Sequence, residues 1–511
     1  MVLTLRMTHK DKIYDAIIIG SGMGGMSSAS MLARDGYSVL VLEAAHALGG
    51  CSSSYTRKGY TFESGATTLI GFDENQPMRI LEDELGIEIP KMSLEPSMQV
   101  LLNGKIITRW KDQEKWIKEA TKQFGEGSAQ ESFWKLAFDV SEVVWKVSGQ
   151  NNFFPPAEIT DWLKLLKNDP RDVWVLPYAF KSVRDVARSK GISNPEFYTF
   201  LDEQLMISAQ AGSDETPFLF GAPASTYTNS TNYYVPGGLI EMVYTLRNYI
   251  TQKGGVVKTR SRVVNFEKRD DMFVVTTKSK KGDFHSYKSK GVISNLPVWN
   301  MEEITNGAMA NYFRNEAKKY EKAWGAFTMG IAFKNNIPSD VPLHNQIHLS
   351  KEDGTEGLYS GSIFVSLSHP DDDVRSPDGK RTMNVSTHAA PEFWFNLNGR
   401  YEEVKERVQD QIIHVIAKSI PGFSETDIEI AFSSTPVTWS NWVYRKKGRV
   451  GGIPQQMDRS LLDWTPCKTP FSGLYLAGDT VFPGQGIPGV TLGGINVYYR
   501  FNKHFKTIKI R

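Results

Sequence analysis

The chain runs to 511 residues, with 59 basic side chains against 57 acidic ones, a net charge of +2 and two cysteines. That balance excludes an electrostatic nucleic-acid binder, and the cysteine count excludes a disulfide scaffold and points to a reducing compartment. A hydrophobic share of 40% and an aromatic share of 12% suit a large packed core, and the length fits about three domains.

No uncharged apolar run of about 18 residues is present, so no transmembrane helix is expected. The leader Met1–Lys12 lacks the apolar stretch of a signal peptide, so a cytoplasmic location is expected. A short apolar run, Ala16–Ile19, meets the glycine turn Gly20-x-Gly22-x-x-Gly25. Met26, Ala29 and Ala33 then share a helical face, Gly36 ends the helix, and Val39–Leu42 reads as a second strand closing on Glu43. Strand, glycine turn, helix, strand and acid in that order predict a dinucleotide cradle. Gly20 permits the tight turn, Gly22 lets backbone approach a pyrophosphate, and Gly25 lets the helix lie near the sheet. The free N–H groups of the first helical turn favour the phosphates. Glu43 is placed to accept from both ribose hydroxyls of an adenosine and to repel a 2′-phosphate, so NADP is disfavoured while FAD and NAD both fit. These features predict an α/β, doubly wound nucleotide domain whose first part spans residues 1–74.

Cys51–Ile70 alternates around a Lys58-Gly59 turn and reads as a short hairpin. Residues 75–225 change character: helices are expected at Met78–Leu85, Gln113–Phe124, Ser132–Val147, Ile159–Leu166, Trp174–Ala187 and Pro195–Ile207. Trp110, Trp116, Trp134, Trp145, Trp162 and Trp174 crowd this stretch, which reads as a helical insertion. Its aromatics have two readings, the core of a cap or an interfacial face. For the latter, Trp162, Leu163, Leu165 and Leu166 alternate with Lys164 and Lys167, and Trp174–Phe180 is similar.

The first fold resumes over residues 226–299. Pro236-Gly237-Gly238 precedes an amphipathic helix with Leu239, Met242, Val243, Leu246 and Ile250 on one face. Val256-Val257, Arg262–Phe266, Met272–Thr277 and Lys290–Pro297 read as strands. Residues 300–435 form a mixed sheet, with strands at Ala326–Phe333, Ile363–Leu367, Thr382–Thr387 and Ile428–Phe432 and a helix at Tyr401–Ile416. His344 and His348 fall in a stretch read as a loop, and no metal site is expected there. Residues 436–511 return to the nucleotide fold: Leu474–Ala477 reads as a buried strand running into Gly478-Asp479, then a Gly/Pro loop and a helix starting near Val490. A strand ending in Gly-Asp puts a carboxylate at the sheet edge where ligands bind in doubly wound folds. Asp479 is expected to meet a ribityl hydroxyl, and the helix start to aim N–H groups at a ring edge that gains charge on reduction.

Asp15–Gly71 and Leu474–Val497 together resemble the FAD-dependent carotenoid desaturase and isomerase family, which includes the retinol saturases. LYLAGDTVFPGQGIPGVTLGG is similar to the isomerase branch's Gly-Asp-Ser-x-Phe-Pro-Gly-Gln-Gly signature, and GYTFESGATTLIGF and WSNWVYRKKGRVGGIPQ resemble further segments. The resemblance implies an amine-oxidase-type FAD domain, a mixed-sheet substrate domain and a long apolar polyene or lipid as substrate. It implies cofactor contacts at Gly20, Gly22, Met23, Gly24, Gly25, Glu43, Gly50, Val263 (through its backbone to adenine), Gly478, Asp479 and Val490. Many desaturases and amine oxidases carry Arg directly after Gly-Gly; here Cys51 stands there.

A polyene has no acidic proton, so desaturation, cis–trans isomerisation and saturation all run on a positioned flavin in an apolar channel without a strong general base. No Ser/His/Asp set, metal cluster or carboxylate pair stands out, and no catalytic side chain is assigned. Peripheral contact with a membrane is expected from the substrate type and the aromatic insertion. Two rivals remain: a flavin oxidase for amines, with Trp439, Trp442, Tyr498 and Tyr499 as aromatic-cage candidates, and a prenyl-binding carrier like the Rab GDP-dissociation inhibitors.

Overall fold

The computed structural model describes residues 12–165, 168–319, 323–350, 353, 356–459 and 463–509. Met1–Asp11 of the leader, and Leu166 and Lys167 of the expected interfacial helix, lie outside the described residues.

The nucleotide fold forms as the sequence predicts. Ile13–Ile19, whose last four residues are all buried, runs parallel to Val39–Leu42, which runs parallel to Val256–Lys258. On the other side Ile13–Ile19 pairs in parallel with the end of Phe284–Ser294, and that end also pairs in parallel with Leu474–Leu476. Strands buried on both faces read as continuous apolar runs, hence the Ile and Val content here. Helix Met23–Arg34 packs against Ile240–Gln252 and against the long C-terminal helix Ile487–Lys509. Phe284–Ser294 serves two arrangements. Its second half lies in the parallel sheet; its first half closes an antiparallel meander with Arg262–Arg269 and Met272–Lys278.

The second sheet has seven strands, in the order Ile428–Ser434, Gly325–Lys334, Lys380–Ala389, Ser362–Leu367, His344–His348, Met98–Leu102 and Lys105–Arg109. It is mixed, because His344–His348 and Met98–Leu102 run parallel while the other pairs are antiparallel. Helix Tyr401–Ser419 covers one face, burying Val404, Val408, Ile412 and Ile416.

Two local expectations change. The 75–225 stretch is not helical throughout: Met92–Leu94, Met98–Leu102 and Lys105–Arg109 are strands, and the last two extend the second sheet. The histidine pair sits on strand His344–His348 rather than in a loop. Helices form at Pro77–Leu85, Gln113–Phe124, Gly127–Gln150, Ile159–Leu165 and Pro195–Ser208, but the expected helix Trp174–Ala187 is split into 3-10 turns over Pro170–Phe180, around Pro177, and a short helix Val183–Ser189. Trp116 and Trp134 are fully buried there, 5.0 Å apart edge to face. The Arg109 guanidinium lies 3.8 Å over the Trp116 ring and donates to Thr228 Oγ1 at 2.8 Å and the Ser225 carbonyl at 2.7 Å.

Candidate functional site

The glycine turn opens at Gly20, whose φ of 92° only glycine adopts freely, and the helix starts at Met23 with Gly22 before it. A Cβ at Gly25 would stand 2.6 Å from the Gly20 carbonyl oxygen, and one at Gly22 2.4 Å from Asn295 Nδ2. The two glycines therefore serve different ends. Gly22 makes room for the Asn295 side chain beside the turn, while Gly25 fixes how closely helix and strand pack. Of the eleven residues expected to contact a cofactor, ten line one cavity; Gly25 is the exception. Asn295, at the end of the returning strand, was not anticipated. Its Oδ1 accepts from the Gly25 N–H at 2.9 Å, and its own N–H donates to the Ile19 carbonyl at 2.8 Å, so it braces the turn from below.

Glu43 ends the second strand and is half-buried. Its Oε2 accepts from the Ser21 N–H (2.9 Å) and hydroxyl (2.6 Å), and its Oε1 from the Ala45 N–H (2.8 Å). A carboxylate oxygen can accept two hydrogen bonds, so Oε1 keeps acceptor capacity for a ribose. Val263 is buried beside the cavity, and the strand register shifts between Val263 and Asn265, a bulge that frees local backbone from the ladder.

At the other end, Gly478 (φ 98°) lets the chain pass under Asn295 into Asp479. The carboxylate of Asp479 is not free. Its Oδ2 accepts from Arg445 Nη2 at 2.7 Å, with the two side chains 15% and 10% exposed. Arg445, within the WSNWVYRKKGRVGGIPQ segment but not named there as a site residue, follows helix Pro436–Trp442 and brings a buried cation next to Cys51. Burial pushes the Cys51 thiol up, away from thiolate and nucleophile character. The last helix starts at Ile487, three residues before the expected point, and the Val490 N–H is spent on the Gly486 carbonyl at 3.0 Å. The first-turn donors are therefore at Ile487 and Gly489, Pro488 having none. Of the aromatic candidates, Trp439 and Trp442 line the cavity; Tyr498 instead donates to Asp35 at 2.6 Å, outside the cavity lining, as is Tyr499.

The cavity holds about 1300 Å³ and runs from the glycine turn, past Asp479, into a slot between the helical stretch and the second sheet. It is larger than the roughly 300–1,000 Å³ of an ordinary small-molecule site. The roof is largely apolar, with Val144, Trp145, Ile207, Phe220 and Pro223, though Ser148, Ser208 and Gln210 also line it. The floor is not. Across the sheet, Ser434, Thr328, Ser386, Phe364 and Gln346 stand directly opposite one another, and all five line the cavity. Beside them Glu203 Oε2 accepts from the Ser362 hydroxyl at 2.6 Å, and Oε1 from the Gly361 N–H at 2.9 Å; burial raises its pKa. His388 Nδ1 lies 3.0 Å from the Ser360 hydroxyl, and burial holds its pKa down at about 4, so the ring is neutral.

Residues 187–497 match the flavin containing amine oxidoreductase family, and residues 18–85 match the NAD(P)-binding Rossmann-like domain. The chain belongs to the flavin containing amine oxidoreductase family. Membership in this family makes the cofactor a flavin, and a cradle built for a dinucleotide makes it FAD. Among curated relatives, the chloroplastic prolycopene isomerase of Daucus carota is 26% identical over 508 residues, covering 96% of this chain and 80% of its own. The all-trans-retinol 13,14-reductase of Danio rerio is 23% identical over 529 residues, covering 94% and 84%. These names agree with the resemblance to the carotenoid desaturase and isomerase branch of the family. Among solved structures, an oxidoreductase from Methanosarcina mazei has a TM-score of 0.60 at 17% identity, covering 95% of this chain and 99% of that one, which establishes the family's fold. Among the described residues no helix is long and apolar enough to cross a membrane.

Proposed function

We propose that this family member is an FAD-dependent oxidoreductase acting on the carbon–carbon bonds of a long polyene of the carotenoid or retinoid type. The observation that carries the reading is the continuity of the cavity: the glycine turn and the apolar-roofed slot are one space. The relatives' names, an isomerase, a reductase and a desaturase of polyenes, point the same way.

In this reading the amides around Gly20, Gly22, Met23 and Gly24 hold the pyrophosphate, and Gly50 closes over it. Glu43 takes the adenosine ribose, and the backbone at Val263 the adenine. Asp479, held by Arg445, meets the ribitol, and Gly478 lets it do so. The first-turn donors of Ile487–Lys509, ahead of Val490, face the ring edge. When bound, the flavin supplies the hydride or electron-pair chemistry that bonds of a conjugated chain require. The chain's own task is to orient an extended substrate against that ring and to keep water out. The roof side chains do so; no proton need be moved by a strong base.

Peripheral membrane contact belongs to the same proposal. Ile159, Trp162, Leu163, Val173, Trp174, Leu176 and Phe180 are all exposed, Phe180 by 78%. The helix bearing Trp162 is tied to the C-terminal helix by buried Asp161, whose Oδ2 accepts from Arg500 Nη1 at 2.8 Å. A lipid surface is where such a substrate resides.

The purified protein is expected to be yellow with flavin absorbance. Expression in a carotenoid-producing host, followed by chromatography of the pigments, is expected to show a changed polyene. Amine-dependent reduction of the flavin without polyene turnover would refute the reading and favour an amine oxidase, for which Trp439 and Trp442 beside the cavity are the supporting observation.

A further inference from the structure

A slot meant for a bare hydrocarbon is expected to be apolar all round, because a buried polar group facing hydrocarbon keeps its desolvation cost and gains no partner. Here only the roof comes near it, and Ser148, Ser208 and Gln210 interrupt even that. The floor presents a row of hydroxyls from Ser434, Thr328 and Ser386, ending at Phe364 and Gln346. A polar corner, formed by Glu203, Ser360, Ser362 and His388, adjoins that row. We infer that this protein takes a lipid bearing a hydroxyl group, and that the Glu203–His388 corner seats it; the inference rests on the polyene reading above.

The chemistry of the corner selects a neutral hydroxyl. Ser360 occupies Nδ1 of His388. Nε2 is left as a single donor or acceptor according to tautomer. The Glu203 carboxyl keeps lone pairs beyond those taken by Ser362 and Gly361. A hydroxyl both donates and accepts, so it can accept from Nε2–H while donating to the carboxylate in one tautomer, or donate to Nε2 in the other. A carbonyl meets only a donor. A hydrocarbon end offers no partner to Nε2 or to the remaining carboxyl lone pairs, which is the asymmetry by which sites built around an OH reject analogues lacking it. Gln346 supports the corner from behind, its Nε2 donating to the Ser362 hydroxyl at 2.9 Å and to the Glu203 carbonyl at 3.2 Å. The hydroxyl row along the floor gives further partners to a chain oxygenated along its length.

The test titrates the FAD-loaded protein with matched polyenes of one chain length, carrying a methyl, hydroxyl, aldehyde or primary amine end. Binding is read from perturbation of the flavin spectrum, and turnover from chromatography. The alcohol is expected to bind at least about 10-fold tighter than the hydrocarbon, with the aldehyde between them. His388→Leu and the milder Ser360→Ala are each expected to shrink that ratio, the first to near one. Equal affinity for alcohol and hydrocarbon in the parent protein, with both turned over, overturns this inference and leaves the polyene reading standing. Flavin perturbation by the amine-ended compound alone, with none of the other three bound or turned over, overturns both.

Discussion

Asp479→Asn removes the charge that faces Arg445 and little else. The pair lies at 2.7 Å with side chains 15% and 10% exposed, so the guanidinium left behind is buried without its carboxylate. Breaking a buried pair by removing one partner costs about 3–5 kcal/mol, whereas replacing both with apolar groups of similar volume is near neutral. For a cooperative unit of this length, ~1 kcal/mol moves the melting temperature by roughly 1 °C. The flavin-free Asp479→Asn protein is therefore expected to melt about 3–5 °C below the parent, and Arg445→Met by a similar amount. The double variant Arg445→Met/Asp479→Leu is expected to recover most of the loss. Flavin retention separates the two roles of the residue. The double variant regains stability but not FAD, because the ribitol acceptor is gone; losing a hydrogen bond to a charged acceptor weakens binding by roughly 10-fold or more. Differential scanning fluorimetry at fixed scan rate and flavin fluorescence after gel filtration read both. An apo Asp479→Asn protein melting within a degree of the parent, or a double variant no better than the single ones, refutes the reasoning.

Gly25→Ala sets a Cβ against the Gly20 carbonyl oxygen, which is backbone and cannot swing away; overpacking of this kind costs about 1–3 kcal/mol. The variant is expected to fold but to lose flavin on dialysis, while Gly36→Ala, with no atom within contact range but a positive φ, is expected to cost stability alone. His344, His348 and His388 in the second sheet are held by burial at pKa values of about 4. Above an unfolded pKa of about 6.5 they are neutral in both states; between about 6.5 and 4 only the unfolded chain takes up the protons. Stability is thus expected to fall with pH across that window and to level off below it, and His348→Gln is expected to flatten the fall, as urea midpoints at pH 7.5, 6 and 5 will show. Trp162→Ser combined with Phe180→Ser is expected to abolish flotation with lipid vesicles while leaving flavin content and melting temperature unchanged, since both side chains are exposed; unaltered flotation removes the membrane proposal.

The nucleotide domain was legible because each of its parts carries a local signature: apolar runs of strand length, a glycine turn, and an acid at a strand end. Gly20 through Glu43 and Gly478-Asp479 needed no tertiary information. The hairpin at Met98–Arg109 carried a signal of its own, Asn103-Gly104 between two short strands, with φ of 49° and 78° as a two-residue hairpin turn requires. It was masked by the long helical runs on either side. Asn295 and Arg445 were not legible. Each matters through a partner distant in sequence, Gly25 and Asp479, and no local spacing announces such a contact. The polar floor was half legible: alternation marked Ala326–Phe333 and Thr382–Thr387 as strands, but which face meets the ligand depends on how the sheet closes on the helices.

The hairpin Met98–Arg109 ties the two walls of the slot together. It starts and ends among segments of the helical wall, yet it is hydrogen-bonded into the sheet that forms the opposite wall. Arg109 fastens it further, to Ser225 and Thr228. A wall stitched in this way does not swing aside as a cover. Under the proposed function, a long substrate would then meet a slot whose two walls keep their spacing.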